Sequence, residues 1–259
     1  VGFDIRQVDL TKLNSMTKYP SIPTYHVLGD KGVLQDAVQV PFADRIVGTE
    51  KVDGTNTRLI FCPDGSAIVG SREDLLWERR DLIGNPAMGI VEAVKELVRR
   101  LSAKLCTDNA VAVYFLEVFG RGVGAGAKNY TREGKVSFRL FDVVFIENYE
   151  EMLAWPVDRI ARWRDNGGQE YVDADRLVRI VQEIGVEPVP ALFDIDASAL
   201  PTEIEATYQF LLGHEWTRCK LDEGAVGIPE GVVVRSPDRS RIAKIRREDY
   251  ERTLKRRKK

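Results

Sequence analysis

The chain has 259 residues, 44% hydrophobic and 30% charged, and its 38 lysines and arginines nearly balance 40 aspartates and glutamates for a formal net charge of −2. That is the composition of an ordinary globular protein of one large or two small domains, and as a whole it carries no electrostatic signal for nucleic acid. Three scattered cysteines (Cys62, Cys106, Cys219) read as free thiols of a reducing compartment, and only two histidines, His26 and His214, argue against a His-rich zinc site or a Ser-His triad. No apolar run reaches membrane-spanning length and no charged-then-apolar leader opens the chain, so a cytoplasmic protein is expected.

Pro20-Ser21-Ile22-Pro23 predicts an extended lead-in. Arg45–Gly48 and Arg58–Phe61 read as strands on either side of Glu50-Lys51-Val52-Asp53-Gly54-Thr55-Asn56. Pro63-Asp64-Gly65 then turns the chain into a hairpin with residues 67–70. Asn85-Pro86 reads as a helix start, and Ile90, Val94, Leu97, Leu101 and Leu105 recur at helical spacing. Val111–Phe119 is an apolar run holding one charge, Glu117; a glycine-rich loop follows at 120–126, then a strand candidate over 136–145. Leu177, Ile180, Val181 and Ile184 share a helical face that Gly185 stops; Ile204, Tyr208 and Leu211 do the same before Gly213. Pro188–Phe193 between them reads as an edge strand. Gly231–Arg235 and Ile242–Ile245 form a last hairpin. Strands, helix, strands, helices, strands predict an α+β fold with antiparallel sheets flanked by helices. Residues 1–245 form the expected domain. Residues 246–259, rich in arginine and lysine, read as a basic C-terminal tail, either a phosphate-contacting arm or a solvated end.

Polar residues inside apolar strands are the informative ones. Lys51 ends its strand, Glu117 sits in mid-run, Glu230 opens Gly231–Val234, and Lys244 interrupts Ile242–Arg246. Singly, each reads as an outward or paired charge. Together, two carboxylates could hold a divalent cation through oxygen ligands, and Lys244 with Arg246, two apart on a strand, could grip phosphates from one face. A lysine nucleophile must be neutral, which costs roughly 4 kcal/mol at neutral pH, and nearby cations lower that cost.

The order of these residues resembles the covalent nucleotidyltransferase superfamily of polynucleotide ligases and mRNA capping enzymes. Its lysine motif, Lys-x-Asp-Gly, stands here as Lys51-Val52-Asp53-Gly54. A glutamate in an apolar strand closing on glycine stands as Phe115–Gly120 around Glu117, and an aromatic before Phe-Asp as Phe138-Arg139-Leu140-Phe141-Asp142. Glu230-Gly231 and Lys244-Ile245-Arg246 complete the set. Asn56 occupies the place where DNA ligases and capping enzymes carry arginine, and with Lys18–Ile22 it resembles RNA ligases of the nick-sealing phage and trypanosome-editing type; many of those carry His where Asp53 stands. The resemblance implies an ATP-dependent RNA ligase working through lysyl-AMP and RNA-adenylate, with Mg²⁺ or Mn²⁺, on RNA ends or nicked duplex, a protein partner being a possible source of further RNA contacts. No C-terminal oligonucleotide-binding barrel is expected. By the same resemblance Lys51 is the nucleophile and Lys244 and Arg246 contact the α-phosphate. Glu117 binds ribose or metal, Glu230 binds metal, and Asn56 positions the metal's water or the α-phosphate. Arg72 contacts phosphate and ribose, Phe138 stacks on adenine with Phe141 in the core, and Glu50 presents backbone groups to the base. A capping guanylyltransferase, a small DNA ligase and a non-catalytic RNA-end-binding module are the alternatives.

Overall fold

The computed structural model describes residues 2–78, 89–107 and 109–258. Helix α1 (Leu10–Thr17) starts on Asp9, whose carboxylate accepts from the N–H groups of Thr11 and Lys12. Strands β1 (His26–Leu28) and β2 (Leu34–Val38) pair as a small ribbon. Next come β3 (Arg45–Lys51), β4 (Thr55–Phe61), β5 (Ala67–Ser71), β6 (Leu75–Glu78), α2 (Ile90–Leu105), β7 (Val111–Gly120), α3 (Ala127–Tyr130) and β8 (Val136–Ile146). Helices α4 (Tyr149–Ala154), α5 (Val157–Asp165) and α6 (Ala174–Ile184) precede β9 (Ala191–Asp196) and α7 (Ile204–Leu212). Strands β10 (Gly231–Arg235) and β11 (Ile242–Arg246) and helix α8 (Arg247–Arg257) complete it. The helix start expected at Asn85-Pro86 lies outside the described residues.

The expected α+β architecture forms as two antiparallel sheets, one of five strands in the order β6-β5-β4-β7-β8 and one of four in the order β11-β10-β3-β9. Consecutive strands β3 and β4 belong to different sheets, so the chain crosses between them at Val52-Asp53-Gly54, directly after Lys51. Glycine is required there, because a Cβ on Gly54 would run into the Val118 carbonyl.

The five-stranded sheet is buried on both faces. On one, Leu59, Val69, Leu116 and Val118 pack against α2 and α6 through Val94, Val98, Leu101 and Leu177. On the other, Ile60, Ile68, Val113 and Phe115 pack against α1, α4 and α5 through Leu13, Met16, Met152 and Ile160. Each such side chain contributes about 1.5–3 kcal/mol of burial. Gly185, in the left-handed conformation at φ 63°, stops α6 as its sequence predicts. The four-stranded sheet covers only its outer face this way, with Ile46, Val232, Val234, Ala243 and Ile245 against Ile204, Leu211 and Tyr250 of α7 and α8. Its inner face looks toward the other sheet.

Residues 247–257, read from sequence as a basic tail, form a packed helix instead. Tyr250 and Thr253 are buried on its inner side. Its charges are engaged locally: Asp249 receives Arg246 through two bonds of 2.8 Å and Arg252 at 3.2 Å, and Arg257 pairs with Asp36 at 2.8 Å. The dense charge hid the short apolar stripe that docks the helix.

The lead-in at 20–25 is extended, as expected, and lies along β11. Lys244 donates its N–H to Pro23 O at 2.9 Å and Tyr25 donates to Lys244 O at 3.0 Å. Nearby, buried Asp142 accepts from the Tyr19 hydroxyl and from Arg239 Nε, each at 2.8 Å, fastening the β10–β11 turn to the five-stranded sheet. Among the described residues no helix is long and apolar enough to cross a membrane.

Candidate active site

The two sheets enclose a cavity of about 370 Å³. The four-stranded sheet and its approach supply Thr49, Lys51, Glu230, Val233, Lys244 and Arg246; the five-stranded sheet supplies Asn56, Glu117, Phe141 and Asp142. Residues 19–22 and Arg72 complete the lining.

Lys51 is half-buried and ion-paired with Glu230, whose own N–H donates to Lys51 O at 3.1 Å. Glu117 accepts from the Gly54 N–H at 3.2 Å. Burial pushes its carboxyl up to about 8; Lys51 opposes that rise, and Glu230 and Asp53 add to it. Asn56 stands directly across from Glu117 in the β4–β7 register, and its buried Oδ1 has no hydrogen-bond partner. A buried acceptor left open toward a cavity is a place for a ligand or water. Asp53 is also raised, first by burial and then by Glu230. Its N–H is fixed by the Tyr130 hydroxyl at 2.6 Å, and room for its carboxylate comes from the missing Cβ of Gly126.

Lys244 and Arg246 share the cavity face of β11, as their spacing requires. Burial lowers the Lys244 ammonium, helped by the positive charges of Arg246, Lys51 and Arg72. Arg72 is exposed at the lip, donating to Ser21 Oγ at 2.9 Å. Oxygen donors of the kind a hard divalent cation takes line the cavity at Glu117, Glu230 and Asn56. The Lys51 ammonium takes the cation's electrostatic place on Glu230, and among the described residues no three acidic, His or Cys side chains converge with metal-binding geometry. The chemistry of the donor set fits Mg²⁺ or Mn²⁺ once the amine leaves Glu230.

A model of the RNA ligase family matches residues 44–255. The chain belongs to the RNA ligase family. Among solved structures it is similar to a Naegleria gruberi RNA ligase with PPi (TM-score 0.55, 15% identity), covering 93% of this chain and 59% of that one. It is likewise similar to an archaeal ATP-dependent RNA ligase (TM-score 0.54, 15% identity; 90% and 49% covered). A third is a point mutant of the Naegleria gruberi RNA ligase with ATP and Mn (TM-score 0.52, 17% identity; 92% and 62% covered). At these identities the likeness shows the shared fold, and the chain spans less than two thirds of each of these three structures. A search of curated proteins finds no match.

Within this RNA ligase fold, Lys51, Glu117, Glu230, Asn56, Lys244, Arg246 and Arg72 all line one cavity. Phe138 does not. A bulge in β8 opposite Phe115 and Leu116 leaves Phe141 as the extra residue. Phe138 and Leu140 therefore face the α2 side, where Phe138 packs on the main core, and Phe141 lines the cavity. Phe138, expected at the base, therefore lies outside the cavity lining, and Phe141, expected in the core, is part of it. Glu50 also differs in part: its N–H is donated to Pro190 O at 2.9 Å and is not offered to a base. Its buried carboxylate turns away from Lys51, accepting from Thr217 Oγ and, at 2.8 Å, from the Arg218 N–H. Burial raises that carboxyl, and these bonds partly offset the rise. Sequence reasoning assigned no role to Asp53, although it stands inside the lysine motif. It also missed Thr217, which no pattern marks, and Val233, which the alternation from Gly231 places on the Lys244 face.

Proposed function

We propose that this chain is the nucleotidyltransferase unit of an ATP-dependent RNA ligase that joins 3′-hydroxyl and 5′-phosphate RNA ends in the cytoplasm. The observation that carries the reading is the placement of Lys51 at the crossing of two sheets, with Glu230 in contact, Glu117 and Asp53 beside it, and Lys244 and Arg246 on the same cavity.

In the first step the neutral Lys51 amine attacks the α-phosphorus of ATP; the P–N bond forms, the bond to the bridging oxygen breaks, and pyrophosphate leaves. Lys244 and Arg246 hold the phosphate oxygens and neutralise their charge. Phe141 and Val233 offer flat apolar surface to adenine. In the second step an oxygen of the RNA 5′-phosphate attacks the same phosphorus and Lys51 departs, giving RNA-adenylate. In the third, the 3′-hydroxyl attacks the RNA 5′-phosphorus and AMP leaves. Glu117 and Glu230, with Asn56 beside them, would hold a divalent cation, which would supply positive charge that favours a neutral lysine and a polarised phosphate. Because the chain spans only part of its structural relatives, a further segment or a protein partner supplies additional RNA contacts in this proposal.

Incubation with α-labelled ATP and Mg²⁺ or Mn²⁺, followed by a denaturing gel, tests the reading. Label stable on the wild type and absent from Lys51→Ala is expected, with nicked RNA sealed in preference to nicked DNA. Label from GTP alone would replace this proposal with a capping enzyme; no label from either nucleotide would sink it.

A further inference from the structure

Outside the cavity, one exposed strip is fastened to Glu50, the residue before Lys51. Thr217 donates its N–H to Gly227 O at 2.7 Å, so the segments on either side of the 218–226 loop run next to each other. Val226 and Gly227 in turn donate to Lys128 O and Asn129 O, each at 3.0 Å, adding the α3 segment alongside. Inward-facing residues of this layer hold the site: Thr217 and the Arg218 N–H carry the carboxylate of Glu50, next to Lys51, and Ile228-Pro229 leads into Glu230. Outward, the alternation leaves Trp216, Arg218, Lys220, Val226 and Ile228 exposed. Trp216 is 62% exposed, the highest value among the large exposed hydrophobic residues described. The Lys220 side chain lies across Gly227, where a Cβ would collide with it, so its amine sits over the same layer.

An exposed indole costs hydration free energy unless something covers it, and an indole among amines and guanidinium groups suits a base with its phosphates. We infer that this strip binds the RNA strand next to the join, with Trp216 stacking on an unpaired base and Arg218, Lys220 and Lys128 contacting its phosphates. The inference rests on the RNA ligase reading and names where that ligase holds its RNA. Glu215 and Glu223 belong to the same segment and reduce its net charge, while the Asp222 carboxylate is turned inward, accepting from the N–H groups of Arg132 and Glu133. Stacking therefore outweighs phosphate contact on this strip, and the salt dependence it adds is shallow.

The experiment compares wild type, Trp216→Ala, Trp216→Phe and Lys220→Ala. Self-labelling by α-labelled ATP is read on a gel, and the affinity for a single-stranded, 5′-phosphorylated, fluorescein-labelled RNA is read by anisotropy. Trp216→Ala is expected to label like the wild type and to bind RNA about tenfold more weakly. Trp216→Phe should keep most of the affinity, and Lys220→Ala should lose about threefold, with a slightly smaller salt slope. Equal RNA affinity for Trp216→Ala and wild type overturns the inference while the labelling result leaves the ligase reading standing. Unchanged RNA binding with reduced self-association in sedimentation overturns it too, and reassigns the strip as a protein contact. Absence of label on the wild type is instead the failure of the ligase reading, distinguishable because it is scored without RNA.

Discussion

The two sheets that face each other across the cavity are built on opposite terms. The five-stranded sheet has a core on each side, and it brings Glu117, Asn56 and Phe141 to the cavity. Even its one fully buried guanidinium, Arg58, is clamped, donating to Ser71 O at 3.0 Å, Asn14 O at 2.8 Å and Thr17 Oγ at 2.9 Å. The four-stranded sheet is packed on one face only, and its free face carries Lys51, Lys244 and Arg246, with Glu230 at the approach to it. One wall of the cavity is therefore held by apolar packing on both of its faces and the other by packing on its outer face alone.

Four experiments bear on that contrast. Lys51→Ala should abolish covalent labelling outright while leaving thermal unfolding within a few degrees of wild type, because the lysine ends a strand and packs in no core. Glu230→Gln should slow labelling on the order of 100-fold in single-turnover measurements, since it removes a charge that faces the nucleophile. Glu117 gives a pH signature. Its folded-state carboxyl is raised from 4.5 to about 8, so the folded protein binds the proton more tightly than the unfolded chain. That contribution is complete below about pH 4.5 and is lost as pH rises toward 8, at no more than about 1.4 kcal/mol per pH unit. Urea midpoints in EDTA should fall over that window for wild type and be flatter for Glu117→Gln; identical slopes would show that the carboxylate wall is not desolvated. The smallest effect separates two phenylalanines. Phe141→Leu should weaken ATP binding about fivefold, whereas Phe138→Leu should leave it unchanged and lower stability instead.

Much of this was legible in the residues. Lys51, Glu117, Glu230, Lys244 and Arg246 announce themselves as charges interrupting apolar strands, and strand alternation alone puts Lys244 and Arg246 on one face. Strands β3, β4, β5, β7, β8, β10 and β11, the two longer amphipathic helices and the edge position of β9 follow from period and punctuation, whereas β1, β2 and β6 were not read. Phe138 was misread because a one-residue bulge inverts the alternation partway along β8, and no residue type marks a bulge of that kind. The packing of α8 was hidden because its buried tyrosine and threonine are outnumbered by charges that pair with one another. Thr217 and Arg218 could not be found at all: they reach Glu50 across a long stretch of chain, and what makes them functional is a distance, not a pattern.

One segment reaches beyond the motifs. Residues 19–25 lie ahead of the stretch that the family model matches, yet residues 19–22 line the cavity, Pro23 and Tyr25 bond to the backbone of Lys244, and Tyr19 meets Asp142 and Arg239. A polypeptide trimmed to residues 44–255 would keep Lys51, Glu117, Glu230 and Lys244 and lose a rim. It would keep the Arg239–Asp142 pair but take the Tyr19 hydroxyl from Asp142 and the Pro23 and Tyr25 backbone bonds from Lys244. The wall of the cavity therefore reaches upstream of the residues that the family model matches.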